Sequence, residues 1–105
     1  MDLYSLQFRD KKIERVCQRG KSKFMQLSLQ AGEGIEEHLA PLLLAVVILK
    51  GRIAFSTGNQ KKEIGELEML TLDANTLHAV EALEQSIVLL VLTPDDEEKR
   101  EGIAQ

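Results

Sequence analysis

The 105-residue chain has few of the residues on which several common kinds of protein depend. Its single cysteine, Cys17, excludes an intramolecular disulfide framework and a multi-cysteine zinc site. Its longest apolar stretch, residues 41–49, has about half the length that a membrane span needs, and its first residues lack the basic and apolar regions of a secretory signal. We therefore expect a globular domain without membrane association, and the lone thiol predicts a cytoplasmic location.

Charge is distributed unevenly along the chain. The net charge of −4 argues against non-specific binding of nucleic acid. Residues 9–23 nevertheless hold seven basic and two acidic side chains, a local balance of +5. Such a segment is either a basic arm for an acidic partner, such as a second subunit, or a solvated surface of strand and loop, which is the commoner case. No aromatic residue lies between Arg9 and Lys23, which again disfavours a nucleic-acid surface.

The hydrophobic pattern predicts an all-β chain. Residues 24–30 alternate, with Met25, Leu27 and Leu29 on one face, as in a half-buried strand. Two further segments are apolar on both faces and predict strands that are covered on both sides; they are residues 42–49 and 86–93. Additional strands are predicted over residues 3–8, 12–18, 52–57, 60–64, 67–72 and 77–82.

Turn signals define the organisation of these strands. Gly58-Asn59 lies between two short extended runs and predicts a hairpin. Residues 11–19 also fit one or two helical turns, so a short helix is the alternative to a strand in this segment. Eight or nine short strands predict one sandwich or barrel domain over residues 1–105, with an N-terminal arm over 1–22 and a charged tail over 94–105.

The strands that are apolar on both faces need more cover than so short a chain supplies, which predicts a homodimer.

The chain has two histidines, His38 and His78. Period two places His78 with Val80 and Ala82 on an apolar face, so we expect it to point into the interior. A lone inward histidine is more often a core residue than a ligand. Two histidines, each placed by the pattern just past a turn and at the start of a strand, favour a shared site.

The spacing around these residues resembles the two motifs of the cupin superfamily of small β-barrels. Gly32 precedes His38 by the interval of the first motif, and Gly51 matches its closing glycine. In the second motif only His78 is retained, although residues 72–86 are similar to a subgroup of short, single-domain cupins. The resemblance covers residues 23–93 and implies a small jelly-roll barrel that forms a homodimer.

The resemblance also implies a metal centre of three histidines and one glutamate, of which this chain keeps two imidazoles. Ala40 and Leu44 stand at the positions of the second histidine and of the glutamate. Glu36 is a candidate carboxylate ligand beside His38, because residues i and i+2 of a strand share a face. The alternative, that Glu36 and Glu37 are solvated loop carboxylates, is the commoner case. A site of His38, His78 and Glu36 would hold one divalent transition metal, and two histidines alone would bind it weakly or with help from a substrate.

Two functions from different classes follow. The first is a barrel that binds a small molecule or a metal between His38 and His78, with Met25 and Met69 lining the interior. An enzyme of this kind would carry out metal-assisted oxidation or isomerisation of a small organic acid, by analogy with the fold alone. The second is a non-catalytic sensor or interaction module with a decayed metal site, which Ala40 and Leu44 favour. The sequence leaves open whether the protein is an enzyme.

Overall fold

The computed structural model describes residues 1–95, and this part of the chain folds into β-strands joined by turns and loops. No helix in it is long and apolar enough to cross a membrane. Of the charged tail predicted over 94–105, residues 96–105 lie outside the described residues. The strands are β1 (Ile13–Arg19), β2 (Ser22–Leu29), β3 (Gly34–His38), β4 (Leu42–Lys50), β5 (Arg52–Thr57), β6 (Gln60–Gly65), β7 (Met69–Leu72), β8 (His78–Ala82) and β9 (Ser86–Pro94).

The strands form two antiparallel sheets that face each other. One sheet has five strands in the order β1-β2-β9-β4-β7, and the other has four in the order β3-β8-β5-β6. Neighbours in these orders are mostly distant in sequence, as in a jelly roll. The predicted all-β jelly-roll class is confirmed. Within residues 1–95 the two sheets share no strand and are not closed into one continuous barrel, so each keeps two edges.

The core lies between the sheets and is built from alternate residues of the central strands. Leu27, Val46 and Val88 come from the five-stranded sheet, and Ile53 and Ala82 come from the other; each of these side chains is almost completely buried. Burial of one such aliphatic side chain stabilises the fold by about 1.5–3 kcal/mol for the larger residues. The predicted strands 42–49 and 86–93 are β4 and β9, which lie side by side in the five-stranded sheet.

The N-terminal residues form no strand, contrary to the expectation for residues 3–8. They run instead over the outer face of β2, where the backbone N–H of Arg9 donates to Ser28 Oγ at 3.1 Å. Gln26 Nε2 donates to the carbonyl of Gln7 at 2.6 Å. Gln26 and Ser28 are therefore only 2% and 3% exposed, although alternation had predicted a solvated face. The polar side chains are buried because they satisfy the peptide groups of a segment that has no strand partner.

Strand β3 was not predicted from the sequence, and the other boundaries differ from the predictions by small amounts. Residues 13–19 form strand β1, which pairs antiparallel with β2, and this pairing excludes the helical alternative. Strand β7 begins at Met69, two residues later than expected, because Leu67 adopts a φ of 68° and its N–H donates to the carbonyl of Ile48. The hairpin at Gly58 is confirmed: Gly58 has a φ of 54°, and Thr57 pairs with Gln60.

Candidate functional site

The two histidines are cross-strand neighbours. His38 is the last residue of β3 and pairs with His78, the first residue of β8. Their ring centroids are 4.3 Å apart, with the planes tilted by 58°. The pattern had placed His38 at the start of an apolar strand, but it ends β3, and β4 begins at Leu42. Because β3 and β8 run antiparallel, the end of one strand meets the start of the other, and the rings share one site.

Both imidazoles are held by the same local hydrogen bond. His38 Nδ1 lies 2.8 Å from the carbonyl oxygen of Glu36, and His78 Nδ1 lies 2.8 Å from that of Thr76. A carbonyl oxygen only accepts, so each Nδ1 carries the hydrogen. In the neutral rings Nε2 is then an unprotonated acceptor, and neither Nε2 has a hydrogen-bond partner in the described residues. The part of the chain that the structure describes has no buried side-chain N or O atom without a partner, so His78 Nε2 is open to the space it faces.

His78 is the more deeply placed of the two rings. It is 6% exposed and stacks on Phe55, with centroids 5.5 Å apart and planes 8° from parallel. Burial lowers the pKa of His78 below its usual 6.5; the bond to the Thr76 carbonyl acts in the opposite direction, and His38 lowers the pKa further. His78 is therefore neutral at pH 7. His38 is exposed and stands closer to solvent.

The two rings line one end of a cavity of about 260 Å³ between the sheets. The walls are mainly aliphatic, because alternate residues of β2, β4, β7 and β9 face inward. Among the lining residues Lys23, Asp73 and Thr76 are polar in addition to the histidines. The apolar lining comes from Ile13, Met25, Ala40, Leu42, Leu44, Leu72, Leu90 and Leu92.

The structure brings some of the predicted site residues together and leaves others apart. Met25 lines the cavity beside the histidines, as expected. Met69 does not line it: Met69 is 62% exposed, because it pairs with Val47 on the outer face of the sheet, while Leu70 and Leu72 point inward. Glu36 is exposed, and its only recorded contact with His38 is through its backbone carbonyl.

The donor set does not fit a resident metal ion. Within residues 1–95 no group of three or more His, Cys, Asp and Glu side chains could hold one. The two imidazoles, with centroids 4.3 Å apart, would supply two nitrogen donors. However, the cavity offers the apolar side chains of Ala40 and Leu44 where a metal centre would need further donors. A catalytic ion generally requires three protein ligands, so the Glu36 carboxylate, His38 and His78 do not make that centre.

Several residues that line the cavity or contact its histidines were not identified from the sequence. Phe55 belongs to β5 and reaches His78 from the neighbouring strand. In the sequence, Lys23 near a strand end and Asp73 in a turn cannot be distinguished from ordinary exposed charged residues. Only Phe55 had a usable signal, since it alternates with Ile53 on the inward face of β5.

Known proteins resemble the chain in structure rather than in sequence. No family model matches it, and neither does any curated protein. A cupin-superfamily protein from Desulfitobacterium hafniense aligns with a TM-score of 0.76 at 19% identity, over 85% of this chain and 84% of that chain. An RmlC-like cupin from Desulfovibrio desulfuricans has a TM-score of 0.73 at 23% identity, over 86% and 90%.

A larger metalloprotein shares the same architecture. Oxalate decarboxylase from Bacillus subtilis, which has Mn(II) centres, aligns with a TM-score of 0.67 at 17% identity, over 74% of this chain and 23% of that chain. These alignments agree with the jelly-roll arrangement of the two antiparallel sheets described above. This chain is therefore a small protein with the cupin fold.

Proposed function

We propose that the protein binds a small organic molecule in the cavity, with His38 and His78 as its polar contacts. One observation carries the proposal: two imidazoles with centroids 4.3 Å apart stand at one end of a cavity whose other walls are mainly aliphatic. An apolar pocket with a few convergent polar groups is the usual anatomy of a ligand site.

The size of the cavity limits the ligand. Its volume of about 260 Å³ lies just below the range of roughly 300–1,000 Å³ that holds drug-sized molecules. Apolar cavities of about 150 Å³ already bind benzene in other proteins. The space therefore suits a substituted single ring or a short branched chain. A divalent metal would need the bound molecule to supply further ligands, because Ala40 and Leu44 supply none.

A pair of neighbouring residues allows a direct test. Ala40 lines the cavity, whereas the adjacent Leu39 is 50% exposed and does not. Ala40→Phe should fill the space and abolish binding of single-ring probes, measured by ligand-observed NMR, whereas Leu39→Phe should leave binding unchanged. Absence of binding to the unmodified protein, or equal binding to both variants, would show that the cavity is not a ligand site.

A second candidate is a non-catalytic sensor or interaction module whose metal site has decayed. Ala40 and Leu44, which line the cavity at two of the family's ligand positions, favour it. Metal analysis of the purified protein, combined with titration of single-ring probes, separates the candidates. Metal-free protein that binds none of the probes would support the module, whereas probe binding, or stoichiometric metal that is lost in His38→Ala, would support the ligand site.

We further propose that the protein forms a homodimer through the outer face of the five-stranded sheet. This face presents Leu43, Ala45 and Val47 of β4 beside Leu89 and Val91 of β9, and all five side chains are only partly buried. Met69 extends the same apolar surface at the sheet edge. A continuous, partly exposed apolar face of this kind is typical of a protein–protein interface.

We also propose a cytoplasmic location, because the free thiol of Cys17 suits a reducing compartment.

A further inference from the structure

We propose that the cavity selects ligands whose head group donates a hydrogen bond, such as an alcohol or a phenol, over ligands with a carboxylate head group. The inference rests on the proposed function and names the chemical class that the site would accept. The inference depends on which nitrogen of each ring carries the hydrogen, and not on the presence of histidine alone.

In both rings the N–H group that could donate to a ligand already donates to a backbone carbonyl. The Nδ1–H groups of His38 and His78 point to the carbonyl oxygens of Glu36 and Thr76, each at 2.8 Å. These bonds lie within each histidine's own strand end, so a ligand does not compete for them. The nitrogen that each neutral ring can offer to a ligand is Nε2, which accepts and does not donate.

Two acceptors side by side make the site selective. No described residue donates to either Nε2. A carboxylate would place its own lone pairs against those of the imidazoles and would leave all of these acceptors unpaired on leaving water. A hydroxyl group donates one hydrogen bond to an Nε2 atom and so recovers that cost. The burial of His78, which is 6% exposed, makes the difference larger than it would be at the surface.

The charged groups around the cavity do not reverse this preference. Lys23 and Asp73 both line the cavity and carry opposite charges, so the site has no net field that would attract an anion. Both are exposed, and neither makes a recorded ion pair or hydrogen bond with the histidines. Burial also lowers the pKa of His78, in agreement with a neutral ring that accepts.

Three probes with one apolar body test the inference: 4-methylphenol, 4-methylanisole and 4-methylbenzoate. We expect the phenol to bind about tenfold more tightly than the anisole, the loss expected for one hydrogen bond, and the benzoate to bind most weakly. Titrations followed by NMR or calorimetry provide the dissociation constants. His78→Leu, which removes the buried acceptor, should reduce the preference for the phenol to less than about threefold. His38→Leu, at the exposed ring, should reduce it by a smaller amount, and Leu39→Ala should leave it unchanged.

Each outcome has a distinct consequence. Equal affinity for the phenol and the anisole would overturn the inference while leaving the proposed binding function intact. The same holds if the benzoate binds most tightly, above all if Lys23→Met abolishes that binding. Failure of all three probes to bind would overturn the proposed function and the inference with it. Long-range ¹H–¹⁵N spectra of the imidazoles give a second measurement without any variant: the hydrogen must be on Nδ1, and rings protonated on Nε2 would contradict the inference.

Discussion

The ring of Phe55 lies nearly parallel to that of His78, with the centroids 5.5 Å apart. Phe55 also lines a neighbouring cavity of about 270 Å³, on the side of the molecule where Gln60 and Lys62 of β6 stand opposite β7. Leu72 lines both this cavity and the one that holds the histidines. His78 lines the first space and stacks on Phe55, which lines the second, so Leu72, His78 and Phe55 form a wall between two spaces of similar size. We expect this wall to limit the depth of the proposed ligand site.

Shortening Phe55 should lengthen the ligands that the cavity accepts. In Phe55→Ala the two spaces would be joined, so 4-alkylphenols with longer chains should bind than in the unmodified protein. The substitution should also destabilise the fold by about 3–5 kcal/mol because Phe55 is 4% exposed. Phe55→Leu is a gentler variant that keeps most of the buried volume. Titration with the alkyl series measures the chain-length limit, and an unchanged limit in both variants would contradict the role of the wall.

Stability should depend on pH through His78. Its folded-state pKa is lowered below 6.5, mainly by burial, so the unfolded chain binds the proton more readily. The stabilisation is therefore complete above pH 6.5 and is lost as the pH falls from 6.5 through the lower, folded-state pKa. Urea unfolding between about pH 7.5 and 5 should show this decrease, and His78→Gln should show a smaller one. Equal pH dependence in the two proteins would exclude His78 as its source.

The buried polar contacts under the N-terminal segment should contribute measurably to stability. Ser28 Oγ accepts from the backbone N–H of Arg9 and from Gln26 Nε2. Ser28→Ala leaves the backbone N–H of Arg9 without its acceptor and removes one of the two acceptors of Gln26 Nε2, so it should cost about 1–3 kcal/mol. Ser22→Ala is a suitable control: it removes one part-buried hydroxyl bond to Thr93 and should cost about 0.5–1.5 kcal/mol. A loss below about 0.5 kcal/mol in Ser28→Ala would show that the contacts with the N-terminal segment contribute little.

The dimer is tested by placing a charge on its proposed interface. Val47→Glu, in the middle of the outer face, should produce a monomer, because an unpaired carboxylate is costly to bury. Leu83→Glu changes a residue that is 43% exposed and is not on this sheet, so the dimer should remain. Sedimentation velocity at micromolar concentration measures the assembly. A monomeric unmodified protein would remove the proposal.

The local pattern was sufficient to predict most of the strands. Period-two alternation in residues 24–30 and continuous apolar runs in β4 and β9 arise from the geometry of a single extended chain, so they can be recognised without a partner. The hairpin at Gly58 is local for the same reason, since its turn depends on the φ of one residue. Residues 3–8 misled the prediction because an extended apolar segment needs an edge to pair with, and β1 and the outer face of β2 offered side chains instead.

Alternation also left the direction of some faces undetermined. In β7 it shows that Met69 and Thr71 share a face and that Leu70 and Leu72 share the other, but both faces contain an apolar residue. The pairing of Met69 with Val47 decided that Met69 faces outward. The pattern likewise did not determine whether the Glu36 side chain faces the site beside His38. In the structure Glu36 is exposed.

From its own pattern, the sequence determined an all-β chain and an inward His78. The positions of Ala40 and Leu44 as missing metal ligands came from the resemblance to cupins. Only the tertiary structure decided that His38 pairs with His78, forty positions further along the chain, and that both rings meet one apolar cavity. The reason is that side-chain alternation is a property of one strand, whereas register and strand order depend on how two sheets bury their apolar faces together.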